Sequence, residues 1–191
     1  SFYSGSRAQT HADIANRARQ LVADGADMLD IGAYSSRPGA DDVSTDEELR
    51  RLEAGLSAVR EAVGYDIPVS VDTFRADVAR RAVEWGADII NDISGGLLDE
   101  DMFETVADLH VPYILMHMRG TPATMQTMTD YTDVVADVIG ELSHKLSRLE
   151  ELGVADVIID PGFGFAKTLD QNYRLLSQLD AFAILGRPVL A

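Results

Sequence analysis

The chain has 191 residues, 46% hydrophobic and 25% charged, which suits one sizeable core and excludes a disordered polymer. A formal net charge of -16 argues against a nucleic-acid partner, and the lack of cysteine rules out disulfides, zinc thiolates and cysteine nucleophiles. No run of about 18 apolar residues and no basic-then-apolar opening occurs, so the expectation is a cytoplasmic protein without a membrane span or signal peptide.

Along the chain, helical and extended patterns alternate. Ile14, Ala18, Leu21 and Val22 recur at helical spacing, Gly25-Ala26-Asp27 ends that helix, and Met28-Leu29-Asp30-Ile31 begins a strand. Ser44 with Glu47 fits a capping box before the next helix, followed by the apolar segment Val69-Ser70-Val71-Asp72. Gly86-Ala87-Asp88 leads into Ile89-Ile90-Asn91-Asp92, and Tyr113-Ile114-Leu115-Met116-His117 forms a fourth strand. Val134, Val135, Val138, Leu142, Leu146 and Leu149 share one helical face, Gly153 stops that helix, and Val157-Ile158-Ile159-Asp160 follows. Thr168 with Gln171 forms a second capping box, and Pro188-Val189-Leu190-Ala191 is a sixth candidate strand.

Alternating β and α segments predict a parallel sheet, either closed as a barrel or open and doubly wound. No G-x-G-x-x-G follows the first strand, and nearly every strand ends in a polar residue: Asp30, Asp72, Asn91 with Asp92, His117, Asp160. In a barrel such ends meet at one mouth, where function sits. The expected fold is therefore α/β, a (β/α)8 TIM-type barrel present here without its first and last strands, as a single domain over residues 1–191 truncated at both ends.

Asp72, Asn91 and Asp160 each close an apolar strand, so their desolvation calls for partners. A carboxylate accepts two parallel hydrogen bonds from an amidine-like edge, and an Asn amide both donates and accepts, which suits a 2-amino-4-oxo pyrimidine. Taken singly, such residues can equally cap the following helix. Asp160-Pro161-Gly162-Phe163-Gly164-Phe165 is the most specific segment, combining a strand-end carboxylate, glycines and two aromatics able to stack on a ring, although Pro and Gly can also simply turn the chain. In Ser35-Ser36-Arg37-Pro38-Gly39-Ala40, Arg37 offers bidentate donors for phosphate or carboxylate, or a solvated turn. His117 could shuttle protons or be a packed, hydrogen-bonded histidine, and no second His stands at metal-ligand spacing.

Together these segments resemble the dihydropteroate synthase family over essentially the whole chain. The resemblance rests on Ser1-Phe2, Asp30-Ile31-Gly32 with Ser36-Arg37-Pro38-Gly39-Ala40, Val71-Asp72-Thr73, Asn91-Asp92-Ile93, Met116-His117-Met118 with Met125-Gln126, and Asp160 to Phe165. It implies condensation of (7,8-dihydropterin-6-yl)methyl diphosphate with 4-aminobenzoate to dihydropteroate and pyrophosphate, with Mg2+ as cofactor, in a sulfonamide-sensitive homodimer. It also implies that Asp72, Asn91, Ile93, Met116, Asp160 and Gly164 hold the pterin, and that Phe2, Ser36, Pro38 and Phe165 hold aminobenzoate. Ser36 and Arg37 would serve catalysis over the pyrophosphate. Tyr34 stands where many relatives carry Glu, and Ser36 where many carry Thr. The family's metal-binding Asn would precede Ser1, and its Ser-Arg-Lys and Arg-x-His motifs would follow Ala191, so the 191 residues alone are expected to be inactive. Two rivals stand: a pterin-binding methyltransferase acting on methyltetrahydrofolate and a corrinoid protein, and a non-catalytic pterin-binding barrel.

Overall fold

The computed structural model describes residues 10–34 and 43–191. Five four-residue strands, β1 (Leu29–Gly32), β2 (Val69–Asp72), β3 (Ile89–Asp92), β4 (Tyr113–Met116) and β5 (Val157–Asp160), form one sheet in sequence order, each pair parallel. A doubly wound sheet reverses its strand order at a switch point, whereas this order runs unbroken, as in a barrel wall. Six helices alternate with the strands: α1 (His11–Ala23), α2 (Thr45–Val63), α3 (Ala76–Glu84), α4 (Met102–Leu109), α5 (Val134–Glu151) and α6 (Leu169–Ser177). Among the described residues no helix is long and apolar enough to cross a membrane.

The two-residue period of the strands sorts their side chains by face. Leu29, Val69, Val71, Ile90, Tyr113, Leu115, Val157 and Ile159 join the main core, packed against Leu52 and Leu56 of α2, Val78 of α3 and Val138 and Leu142 of α5. The alternate residues, Asp30, Ser70, Asp72, Asn91, Met116 and Asp160, occupy the opposite face. β1, β2 and β5 thus pack apolar side chains on one face and carry their polar groups on the other.

Helix boundaries follow the chemistry of their caps. Thr168 and Gln171 satisfy each other's backbone N–H groups before α6, as expected, and Thr10 with Asp13 makes an unanticipated second box before α1. At Ser44 only half of the expected box exists: its Oγ accepts from Glu47 N, while the Glu47 carboxylate is taken by Arg50 and Arg51. Gly25, Gly86 and Gly153 all have positive φ where a helix gives way to a strand.

Two strand expectations need correction. Pro188–Ala191 does not make a sixth strand but a single parallel bridge, Val189 to Ile159, with Ile159 N donating to Pro188 O at 2.8 Å and Leu190 N to Ile159 O at 2.8 Å. Asp30 is not at a strand end: β1 runs on to Gly32, so Asp30 lies one layer deeper, level with Ser70.

Leu142 is fully buried between α5 and the sheet. Leu142→Ala is expected to lower unfolding free energy by about 2–5 kcal/mol in denaturant titration, and a loss near zero would mean that α5 does not seal this face.

Candidate active site

Asp72 and Asn91 are direct neighbours in the sheet register, and Met116 pairs with Asp160, so all four project from one face at the carboxyl ends of their strands. Asp72 and Asp160 therefore lie on the same side of the sheet. Below them the Asp30 carboxylate accepts from Ser70 Oγ and, at 3.3 Å, from Asn91 Nδ2. That bond fixes the Asn91 amide and leaves its Oδ1 buried with no partner. An orphaned buried acceptor costs about 1–3 kcal/mol, a deficit that a donor on a ligand would remove.

Burial pushes the Asp72 carboxyl up to about 8, helped by the nearby charges of Asp30, Asp92 and Glu48. At neutral pH it is largely protonated and can donate as well as accept. Gly32 keeps the space beside it open, since a Cβ there would come within 3.1 Å of the Asp72 Cβ. Burial also raises the Asp160 carboxyl, offset by a hydrogen bond from Gly162 N at 2.7 Å and by the charge of Lys167.

Asp92 takes no part in this face. It is fully buried on the helix side, where its carboxylate accepts from Ser94 N, Ser94 Oγ and Gly96 N at 2.8 Å and from the Tyr113 hydroxyl at 2.7 Å. It caps the turn after β3 and not the following helix, whose N-cap is Asp101.

Ile93, Met116, Met118, Met125 and Ala166 form a second, smaller apolar cluster, with Phe74, Leu98 and Phe165 packed against it. Three residues expected to touch a planar ligand, Ile93, Met116 and Phe165, are thereby brought together. Gly164 is open: no atom lies within 4 Å of where its Cβ would be, and its φ of +82° is what favours glycine there.

The loop after β5 folds back onto the end of β4. A Cβ at Gly162 would stand 2.0 Å from the His117 carbonyl oxygen, so only glycine permits this approach. Lys167 lies at the centre, 4% exposed, its Nζ 3.0 Å from Gly162 O, Phe165 O and His117 Nδ1. Because Nδ1 accepts from the lysine, Nε2 carries the proton and donates to Glu141 at 2.9 Å. Burial holds His117 down at about 4, so it is a neutral, packed histidine. Arg119 completes the group, ion-paired to Glu141 with its guanidinium carbon 3.9 Å from the centroid of the Tyr131 ring.

Sequence reasoning missed Lys167. A signal existed in the basic residues: only two of sixteen, Lys145 and Lys167, are lysine. Lys167 is buried and Lys145 half-buried, its Nζ donating to Ser94 O at 3.1 Å. Phe2, Ser36, Arg37 and Pro38 lie outside the described residues. The segment that bears the last three is flanked by Tyr34 and Val43. Arg75 stacks 5.3 Å from the Tyr34 ring centroid and 5.0 Å from that of Phe74, donates to Val43 O at 2.9 Å, and pairs with the buried Glu48.

Among the described residues no three His, Asp or Glu side chains converge as a metal site.

Polar donors and acceptors on the strands, walled by an apolar cluster from the loops at their carboxyl ends, make a barrel-mouth arrangement suited to a flat heteroaromatic molecule. The family model described as "Pterin binding enzyme" matches residues 1–191, and the chain belongs to that family. It is similar to the dihydropteroate synthase of Synechocystis, 42% identical over 192 positions that cover 100% of this chain and 66% of that protein. Among solved structures it resembles the Yersinia pestis dihydropteroate synthase with a sulfonamide drug, with TM-score 0.92, 35% identity, and coverage of 99% of this chain and 68% of that one. It also resembles the Xanthomonas albilineans synthase with 4-aminobenzoic acid, with TM-score 0.85, 40% identity, and coverage of 100% and 67%. The chain spans between about a quarter and two thirds of the length of the curated relatives it matches.

The raised Asp72 carboxyl makes a pH signature. Between the ordinary aspartate range near 3.8 and about 8, the folded chain keeps a proton that the unfolded chain releases, so stability falls as pH rises across that window. Asp72→Asn removes the effect: the gap in denaturant midpoint, variant minus wild type, should widen from pH 4 to 8 and then level off. Parallel curves would show that Asp72 titrates normally.

Proposed function

We propose that the full-length protein is a dihydropteroate synthase, joining (7,8-dihydropterin-6-yl)methyl diphosphate to 4-aminobenzoate. The supporting observation is that Asn91, with its orphaned Oδ1, shares one face of the sheet with the protonated Asp72 and with Asp160. Together they offer alternating donors and acceptors, matching the amino, ring N–H and oxo groups of a 2-amino-4-oxo pyrimidine. Ile93 and Met116 supply the apolar walls of the pterin slot, and the open backbone at Gly164 leaves room at its rim.

In this reading Phe2, Ser36, Pro38 and Phe165 hold the aminobenzoate, and Arg37 faces the diphosphate. The arylamine lone pair forms the new C–N bond at the pterin methylene, the C–O bond breaks, its electron pair leaves with pyrophosphate, and the nitrogen then loses a proton. An arylamine is neutral already, so no strong base is needed; leaving-group departure sets the barrier, and Ser36 and Arg37 act on it. The acidic pocket tolerates positive charge growing on the methylene. A cytoplasmic homodimer inhibited by sulfonamides belongs to the same reading, as does magnesium, held outside the residues described above. A corrinoid-dependent methyltransferase would have no use for the apolar stretch that brings Met125 beside Met116.

Asp160→Ala and Asn91→Ala in the full-length protein should each cut kcat/KM for pyrophosphate release by about 10- to 100-fold, the scale of a lost buried hydrogen bond of about 1–3 kcal/mol. Wild-type protein that released no pyrophosphate from both substrates, or full activity in Asp160→Ala, would refute the reading.

A further inference from the structure

The loop from Pro161 to Ala166 carries the floor and rim of the pocket, yet its backbone is costly. Gly162 and Gly164 have φ of +71° and +82°, and Ala166, which has a Cβ, has φ of +50°. A left-handed non-glycine residue costs about 1–2 kcal/mol, so something must hold the loop in place. Its carbonyls turn inward as a result, and two of them, from Gly162 and Phe165, converge on Lys167 Nζ. The third short contact, to His117 Nδ1, and a longer one of 3.4 Å to His117 O tie the same nitrogen to the end of β4.

We infer that Lys167 is a positioning residue whose ammonium acts as a built-in cation, locking the loop after β5 onto β4 and so setting the places of Gly164 and Phe165 beside Asp160 around the ring ligand. Three acceptors at 3.0 Å use all three hydrogens of an ammonium group, whereas a neutral amine has two. The neutral His117 can accept at Nδ1 because Glu141 takes the proton-bearing Nε2. Tyr131 adds a fourth tie, its hydroxyl donating to Ala166 O at 3.0 Å. The network thus reaches the ligand through backbone, not through any contact of Lys167 with substrate. The inference deepens the synthase reading and rests on it for its kinetic readout only.

The test uses full-length protein below pH 7, with any cysteine elsewhere first replaced by serine; these 191 residues contain none. Lys167→Met keeps the unbranched stem as far as the ε position and deletes the ammonium; Lys167→Gln serves where that variant does not fold. Lys167→Cys, alkylated with 2-bromoethylamine in denaturant and refolded, restores an ammonium of nearly the same reach. We expect Lys167→Met to raise KM for the pterin diphosphate about tenfold or more with kcat within about threefold, the scale of losing a hydrogen bond to a charged group. Amide exchange at Gly162 and Phe165 should quicken, and alkylation of Lys167→Cys should reverse both changes. Unchanged KM and exchange in Lys167→Met, or an alkylated protein no better than Lys167→Met, would overturn the inference. Wild-type protein that neither binds a pterin nor releases pyrophosphate would instead defeat the synthase reading, and the exchange measurement would still decide the role of Lys167.

Discussion

Everything at the mouth of this sheet depends on the cost of taking oxygen acceptors out of water. Asp72, Asn91 and Asp160 are drawn together by strand register, not by attraction for one another, and the two carboxyls would repel if both were charged. The fold tolerates them because the opposite face of the same strands is packed with Val, Ile and Leu against the helices. What remains without a protein partner, above all Asn91 Oδ1, is an acceptor that a molecule with donors in the right places would satisfy.

The site therefore has two parts with different mechanical characters. The acceptors stand on strands whose neighbours hold them by backbone ladders. The apolar walls stand largely on loops, at Ile93, Met118, Met125 and Phe165, and need other means of support. Asp92 supplies one by capping the turn after β3 with three hydrogen bonds and taking a fourth from Tyr113 of β4, and the cluster of Lys167, His117 and Glu141 supplies another after β4 and β5.

How much of this could be read from the residues depends on range. The strands and the helical faces were legible because periodicity is local, and so were Asp72, Asn91 and Asp160, each ending an apolar run. Asp30 was misplaced because Gly32 reads as a break, whereas β1 runs through it in order to make room for Asp72. Asn91 and Asp92, adjacent and alike in sequence, serve opposite faces, a difference that follows from the period of two once the strand is located. The half-formed box at Ser44 failed because Arg50 and Arg51 compete for the Glu47 carboxylate. Lys167 was invisible because its partners are carbonyl groups, which every residue has.

The distribution of basic residues has a chemical consequence. Of sixteen, fourteen are arginine, and the two amines are turned inward. Among the described residues the exposed side-chain cations are thus arginines, which stay charged at any pH a protein survives. An amine-directed reagent would meet Lys145 half-buried and Lys167 closed off beneath the loop after β5.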